Sequence, residues 1–211
     1  ISSSLFFDSM KVVPKTKAES EWKFPVFCLT ATSSRETKED IQRQFEISNE
    51  NYLHSTCYIR DNLNVTISFE NHRVKYIKKL LSMEATKGKR PLIIYCAFKK
   101  TIFGLVNELK AQGLNAVAFH GEVPELEKMN ILQQFLSTDP NHAKPLEDDF
   151  DLHIKIDAIV TTVSLAMGID HRSIRGVIHY NMPGALETYV QEIGRGGRDG
   201  LSSFCHTFLT D

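Results

Sequence analysis

The sequence predicts an α/β fold in which a parallel sheet carries helices on both faces. Two patterns indicate it. From Asn64 onward, apolar runs of strand length alternate with segments of helical period, joined by short connections. Leu92 to Phe98 is a continuous apolar run, as expected for a strand covered on both sides. The hydrophobic share of 42% and the charged share of 24% are those of an ordinary globular protein.

The first 64 residues have a different character from the rest. Residues 1–24 are polar and without a clear period, and a buried strand is expected at Val26 to Leu29. Ser33 or Ser34 is placed to cap a following helix, and residues 46–64 have the composition of a linker. We therefore divide the chain into residues 1–64 and a regular α/β domain over residues 65–211.

Within the second part, strands and helices alternate. Strands are predicted over residues 64–69, 91–96, 115–120, 157–162, 176–183 and 204–209, and helices over 72–82, 101–113, 124–136 and 185–193. The long polar segment Ser137 to Lys155 interrupts this order and is predicted to be a flexible surface insertion.

Charge, cysteine spacing and hydropathy limit the kinds of binding partner and site that the protein is expected to have. A net charge of −1 gives no overall attraction to nucleic acid, so such contacts require local basic patches. The four cysteines form no CxxC pair, which argues against a zinc or other metal site and indicates reduced thiols in an intracellular protein. No apolar run is long enough to cross a membrane, so no membrane partner is expected. The chain begins without methionine, and we expect it to be a fragment.

Polar or glycine-rich segments follow the predicted strands and the last helix. Their candidate residues are Lys99, His120, Thr161, Thr162 and Ser164. Residues 194–200, GRGGRDG, form a further such segment, called the glycine–arginine loop below. In a doubly wound sheet these positions are expected to line one crevice. Hydroxyls, backbone amides and arginines are the groups that recognise phosphate.

The glycine–arginine loop places Arg195 and Arg198 three residues apart among four glycines. Glycine allows close approach of the backbone to a ligand, and arginine offers a bidentate fork for phosphate oxygens. The alternatives are an RGG-type disordered RNA-binding tract or a simple turn.

Several stretches resemble helicase motifs. The segment QEIGRGGRDG, residues 191–200, resembles motif VI of the RecQ branch of superfamily 2 helicases, with Gly196 in place of the usual alanine. LTATSS, residues 29–34, resembles motif III; LIIYC, residues 92–96, resembles motif IV; and IVTTVSLAMGID, residues 159–170, resembles motif V. Their order agrees with that family over residues 26–211.

The resemblance implies two RecA-like lobes with ATP between them and single-stranded or forked DNA crossing both. Residues 1–64 would then be the end of the first lobe and a connector, and residues 65–211 the second lobe. The phosphate-loop pattern G-x-x-x-x-G-K-[ST] and a DExH sequence are not found in this chain. ATP and Mg²⁺ would therefore be held mainly by the other lobe, and we expect this polypeptide alone not to hydrolyse ATP.

The resemblance also implies roles for individual residues. Arg198 corresponds to an arginine finger, with Arg195 and Gln191 beside it. The resemblance also implies that Asp170 and Gly168 contact the nucleotide. The residues implied to contact the DNA backbone are Thr161, Thr162, His120, Lys99 and Ser164. Thr30 and Thr32 are implied to couple ATP hydrolysis to movement of the DNA strand.

The function so implied is that of an ATP-dependent 3′→5′ DNA helicase in repair, replication or recombination, nuclear in a eukaryote and cytoplasmic in a bacterium. Two alternatives stay open: a non-catalytic nucleic-acid-binding module and an RNA helicase of the same superfamily. Three departures from the family pattern are Lys99 and Lys100 where it often has arginine, Ala166 in place of a glycine, and Glu122 near the expected DNA path.

Overall fold

The structure is a computed structural model. It describes residues 28, 34–45, 47–48, 51, 60–84, 86, 90–138, 155–162 and 171–209. The helices are α1 (Arg35–Gln44), α2 (Arg73–Ser82), α3 (Lys99–Ala111), α4 (Glu125–Leu136) and α5 (Leu186–Ile193). The strands are β1 (Leu63–Phe69), β2 (Leu92–Tyr95), β3 (Ala116–Phe119), β4 (Ala158–Thr161), β5 (Gly176–His179) and β6 (Ser203–Leu209).

The strands form one six-stranded sheet in the order β1-β6-β5-β2-β4-β3. Every neighbouring pair is parallel. Tyr95 at the end of β2 pairs with Thr161 of β4 on one side and with His179 of β5 on the other. The predicted parallel α/β architecture is confirmed.

The central strand is buried on both of its faces. Ile93 and Ile94 point to opposite faces of β2, and both are completely buried. Ile94 belongs to a cluster with Ile77 of α2 and with Ile102 and Leu109 of α3. Because both faces of β2 are covered by apolar groups, its sequence has no polar alternation, as predicted.

Local capping signals set two helix ends where the sequence places them. The hydroxyl of Ser34 accepts a hydrogen bond of 3.1 Å from the backbone N–H of Thr37 at the start of α1. Gly113 has φ of +84°, the left-handed conformation that ends many helices, just beyond α3.

The chain divides into two compact units. One comprises residues 1–58 and 185–191; within it, α1 has no buried residue. The other comprises residues 59–184 and 192–211 and contains all six strands of the sheet. The boundary predicted between residues 64 and 65 stays a prediction. The strand predicted at Val26 to Leu29 lies outside the described residues apart from Cys28, as does most of the Ser137 to Lys155 segment.

Candidate functional site

The glycine–arginine loop lies at the amino ends of the strands. The backbone N–H of Gly197 donates to the carbonyl of Ile174, just before β5, at 2.8 Å. Ser203, the first residue of β6, donates its N–H to the carbonyl of Asn62, just before β1, at 2.9 Å. The prediction that this loop shares one crevice with the segments after β2, β3 and β4 is therefore wrong for its backbone. A crossover between parallel strands returns the chain to the amino edge, so residues directly before a strand cannot lie at the carboxyl edge.

Arg60 holds the backbone of the loop. Its guanidinium donates to the carbonyls of Gly194 and Gly197, each at 2.9 Å, and also to the carbonyl of Gly196. The amide of Asn62 donates to the carbonyls of Gly197 and Leu201, both at 2.8 Å. Arg60 and Asn62, called the clamp below, thus donate hydrogen bonds to the backbone carbonyl oxygens of the loop.

Sequence reasoning missed the clamp, because residues 46–64 were interpreted as a linker. Its only signal in the sequence is an arginine and an asparagine directly before a strand.

The glycines of the loop allow close packing. Gly197 has φ of +54°, and a Cβ there would lie 2.6 Å from the Asn62 Nδ2 atom and 2.7 Å from the Leu201 carbonyl oxygen. A Cβ on Gly196 would lie 2.7 Å from the Ser203 hydroxyl oxygen. Side chains at these positions would push the loop away from the clamp and from β6.

The two arginines of the loop occupy different environments. Arg195 is 5% exposed, whereas Arg198 is exposed to solvent. Of the two arginines, Arg198 presents its charge at the surface.

Arg195 belongs to a buried polar cluster with Tyr95, His179 and Glu192. The Tyr95 and His179 rings stack at 5.4 Å, and the Nε2 atom of His179 lies 2.8 Å from a carboxylate oxygen of Glu192. Burial raises the pKa of the Tyr95 phenol well above its usual range, while the charge and hydrogen bond of Arg195 act in the opposite direction. Tyr95 and Arg195 therefore interact directly.

Asp199 anchors the far end of the loop. Its carboxylate pairs with the guanidinium of Arg175 and accepts the backbone N–H of Leu201 at 3.1 Å. The side chains of Arg175 and Asp199 are only 14% and 16% exposed. The clamp therefore holds Gly197 and Arg175 holds Asp199, the residues on either side of Arg198 in the sequence.

The predicted DNA-contacting residues Lys99 and His120 come together at the carboxyl edge. The ammonium of Lys99 lies 2.8 Å from a carboxylate oxygen of Glu122, and this hydrogen bond and charge lower the pKa of Glu122. The ring of His120 is buried, and its Nδ1 atom accepts the backbone N–H of Glu122 at 3.3 Å. Glu122 therefore pairs with Lys99 there.

Thr161 and Thr162 differ in accessibility. Thr161 is completely buried, and its hydroxyl donates to the carbonyl of Thr162 at 2.8 Å. Its own carbonyl accepts the N–H of Cys96 at 2.8 Å, so Thr161 joins β4 to the end of β2. Thr162 is half-buried.

Gln191 is exposed in the last turn of α5. The remaining predicted site residues lie outside the described residues: Thr30, Thr32, Ser164, Gly168 and Asp170.

No three His, Cys, Asp or Glu side chains among the described residues come together in a way that could hold a metal ion. None of the helices described is both long enough and apolar enough to cross a membrane.

Comparison with known sequences identifies the family. Residues 72–200 match the helicase conserved C-terminal domain. The chain belongs to that family. This stretch of the helicase C-terminal domain contains β2 to β5, both arginines of the glycine–arginine loop and Asp199.

Curated relatives confirm the resemblance of this helicase C-terminal domain to the RecQ branch. It is 31% identical over 184 residues to ATP-dependent DNA helicase Q-like 5 of Arabidopsis thaliana, covering 87% of this chain and 18% of that protein. It is 30% identical over 181 residues to the probable ATP-dependent DNA helicase RecS of Bacillus subtilis, covering 85% of this chain and 33% of that protein. The chain thus spans a third or less of the length of these relatives.

Solved structures confirm the RecA-like fold. S. cerevisiae Dbp5, in a structure with RNA and ADP BeF3, has a TM-score of 0.60 at 21% identity, covering 86% of this chain and 44% of that one. A DEAD box protein from Methanococcus jannaschii has a TM-score of 0.51 at 23% identity, covering 70% and 34%. At these identities the likeness concerns the fold alone.

Proposed function

We propose that this helicase C-terminal domain is the second lobe of an ATP-dependent 3′→5′ DNA helicase of RecQ type, in which Arg198 acts as the arginine finger. The observation that carries the proposal is the contrast within one loop: Arg198 is exposed, while the backbone around it is held by Arg60, Asn62 and the Arg175–Asp199 pair. The RecQ-type relatives support the helicase activity.

A fixed loop with one exposed guanidinium suits phosphoryl transfer. The guanidinium must meet charge that develops on a phosphate, and it stabilises that charge best when its position is set in advance. Its planar fork can donate two parallel hydrogen bonds to phosphate oxygens. Arg195, which is buried and interacts with Tyr95, then acts as a positioning residue for Arg198, and Gln191 is proposed to help position both arginines.

The nucleotide would be held mainly by another lobe carrying a phosphate loop. ATP bound with Mg²⁺ at that other lobe would supply the γ-phosphate that is transferred to water. In this chain Arg198 fits the phosphate as an exposed cation, and Gly168 and Asp170 are proposed as further nucleotide contacts. Thr30 and Thr32 are proposed to couple hydrolysis to movement between the lobes.

The carboxyl edge is proposed to contact single-stranded or forked DNA. Lys99 is an exposed cation of that edge, and Thr162 and Ser164 are proposed to contact the DNA backbone. The buried positions of His120 and Thr161 favour roles in supporting these contacts. Such contacts position the strand without reading its sequence.

The test measures DNA-stimulated ATP hydrolysis by a protein that contains this chain together with a first RecA-like lobe. We expect Arg198→Ala to lower kcat by about 10³, the lower end of the range for arginine fingers, with single-stranded DNA still bound. Arg43→Ala, which removes an exposed arginine from α1, is the matched control and should leave kcat unchanged.

Turnover of Arg198→Ala within a few-fold of wild type would overturn the finger assignment. A two-lobe wild type without DNA-stimulated hydrolysis would instead support the non-catalytic module. Unwinding of RNA duplexes in preference to DNA duplexes would support the RNA helicase.

A further inference from the structure

Two exposed phenyl rings lie in the segment that follows β2, which also carries Lys99 and Lys100. The side chains of Phe98 and Phe103 are 59% and 60% exposed. Phe98 directly precedes α3, and the ammonium of Lys100 lies 5.8 Å from the centre of its ring. Large exposed aromatic side chains beside lysines are the combination that proteins use to hold single-stranded nucleic acid.

Phe103 connects this surface to the segment that follows β3. It lies one helical turn after Lys99 on the same face of α3. Its ring contacts the ring of His120 edge-on, with 5.3 Å between centres.

His120 gives an independent sign of a missing partner. It is 2% exposed, and its Nε2 atom has no hydrogen-bond partner among the described residues. A buried polar atom without a hydrogen-bond partner destabilises the protein, so a ligand group that reached it after a shift of Phe103 would be bound more tightly.

We propose that Phe98 and Phe103 form an aromatic platform on which bases of single-stranded DNA stack, while Lys99 and Lys100 contact the flanking phosphates. The charge complements that of the strand: the Lys99 ammonium has three donors, of which Glu122 accepts one. An aromatic side chain can stack on the face of any of the four bases, which suits an enzyme that moves along DNA of any sequence. This inference rests on the proposed function and adds base stacking to its phosphate contacts.

The experiment measures binding of this chain to two fluorescent single strands of equal length and charge, an oligothymidylate and the corresponding abasic strand. Wild type is expected to bind the oligothymidylate more tightly than the abasic strand. Phe103→Ala should weaken binding of the oligothymidylate about tenfold and leave binding of the abasic strand unchanged, because only the former has bases to stack. Phe103→Trp, which keeps an aromatic face, should restore the affinity.

Phe69→Ala is the matched control. Phe69 is the last residue of β1 and its ring is 69% exposed. β1 and β3 are the two outermost strands of the sheet, on opposite sides of it, so removing the Phe69 ring should change neither affinity. Because Phe98, Phe103 and Phe69 are all exposed, the alanine variants should unfold at the temperature of the wild type.

Equal loss of affinity for both strands in Phe103→Ala, or no loss for either, would overturn the platform while leaving the proposed function intact. A wild-type chain that binds neither strand at low salt would count against the proposed DNA contacts of this lobe as a whole.

Discussion

At the amino ends of β1, β5 and β6, side chains hold a backbone in place, whereas at the carboxyl ends of β2 and β3 they extend toward solvent. Arg60 and Asn62 direct their donors at the carbonyls of the glycine–arginine loop. Phe98 and Phe103 instead leave more than half of their surface exposed. One sheet therefore carries a fixed polar loop at one edge and an open aromatic and basic surface at the other.

The difference agrees with the ligand proposed for each edge. A phosphate that changes charge during a reaction needs a cation at a fixed place, and fixing a loop of glycines requires donors from outside it. A nucleic-acid strand that must move past a surface needs contacts that tolerate many positions. Rigidity of the loop and adaptability of the exposed surface can be tested separately, because different side chains provide them: Arg60 and Asn62 hold the loop, and Phe98 and Phe103 are exposed.

The largest effect on stability is expected at the clamp. Arg60→Ala removes three hydrogen bonds from a charged donor to carbonyl oxygens and should lower the free energy of unfolding by about 3 kcal/mol. Arg60→Lys should recover only part of this loss, since an ammonium cannot match the fork of a guanidinium. Urea denaturation of the chain measures both variants.

Arg43→Ala, on the exposed face of α1, is the control for Arg60→Ala and should stay within about 0.5 kcal/mol of wild type. A loss of that small size for Arg60→Ala as well would show that the loop holds its own conformation without the clamp.

The close packing of the glycine–arginine loop predicts a second, smaller loss of unfolding free energy. Gly197→Ala places a Cβ against Asn62 and the Leu201 carbonyl at positive φ, and should cost about 2–3 kcal/mol. Gly200→Ala is the matched control, because Gly200 has φ of +82° with open space around it and should cost only about 1 kcal/mol. Thermal unfolding compares the two, and equal losses would mean that backbone conformation alone selects glycine here.

The stability of the fold is expected to depend on pH because of a histidine in β6, the strand that follows the glycine–arginine loop. His206 of β6 is buried, with hydrogen bonds to the hydroxyls of Thr66 and Ser68, and burial lowers its pKa. The folded state then binds fewer protons than the unfolded chain, so stability is full above about pH 6.5 and falls as the pH drops below it. The loss cannot exceed about 1.4 kcal/mol per pH unit for this one proton.

His206→Gln should therefore flatten the decline in unfolding free energy between pH 7.5 and pH 5.5. Thr66→Val, which removes a hydrogen-bond partner without removing the imidazole, should keep the decline. If His206→Gln and wild type lose the same free energy over that interval, other groups cause the acid sensitivity.

The smallest effect on stability is expected at the carboxyl edge. Lys99 and Glu122 are an exposed pair, so Lys99→Ala should leave the unfolding temperature almost unchanged. It should nevertheless reduce the salt dependence of single-stranded DNA binding, by about 0.7 in the slope of log K against log salt. Glu122→Gln is the converse change and should tighten binding by removing a negative charge. An unaltered slope in Lys99→Ala would remove this residue from the DNA contacts.

Strand and helix positions could be predicted from the sequence because their signals are local. The apolar run of β2, the periodic stripe of α3, the hydroxyl of Ser34 and the glycine at position 113 each act within a few residues. The motifs after β2 and β4 and the glycine–arginine loop were found for the same reason, since each is a continuous stretch.

The partners of those motifs could not be predicted in this way. Arg60 is separated from Gly194 and Gly197 by 134 and 137 residues, and Lys99 is separated from Glu122 by 23. Nothing in the composition of residues 46–64 distinguishes a donor to a distant loop from a solvated linker. The different burial of Arg195 and Arg198 likewise depends on Tyr95, His179 and Glu192, which only the folded sheet brings together.

The sequence by itself determined the α/β class, the order of the elements and the resemblance to RecQ-type helicases, because hydrophobic period, capping residues and contiguous motifs are properties of short segments. The tertiary structure alone decided that the glycine–arginine loop and the lysine-bearing segment lie at opposite edges of the sheet, and that Arg60 holds the former. Parallel strands send consecutive loops to alternate edges, and a hydrogen bond between distant residues exists only once the crossovers have placed them side by side.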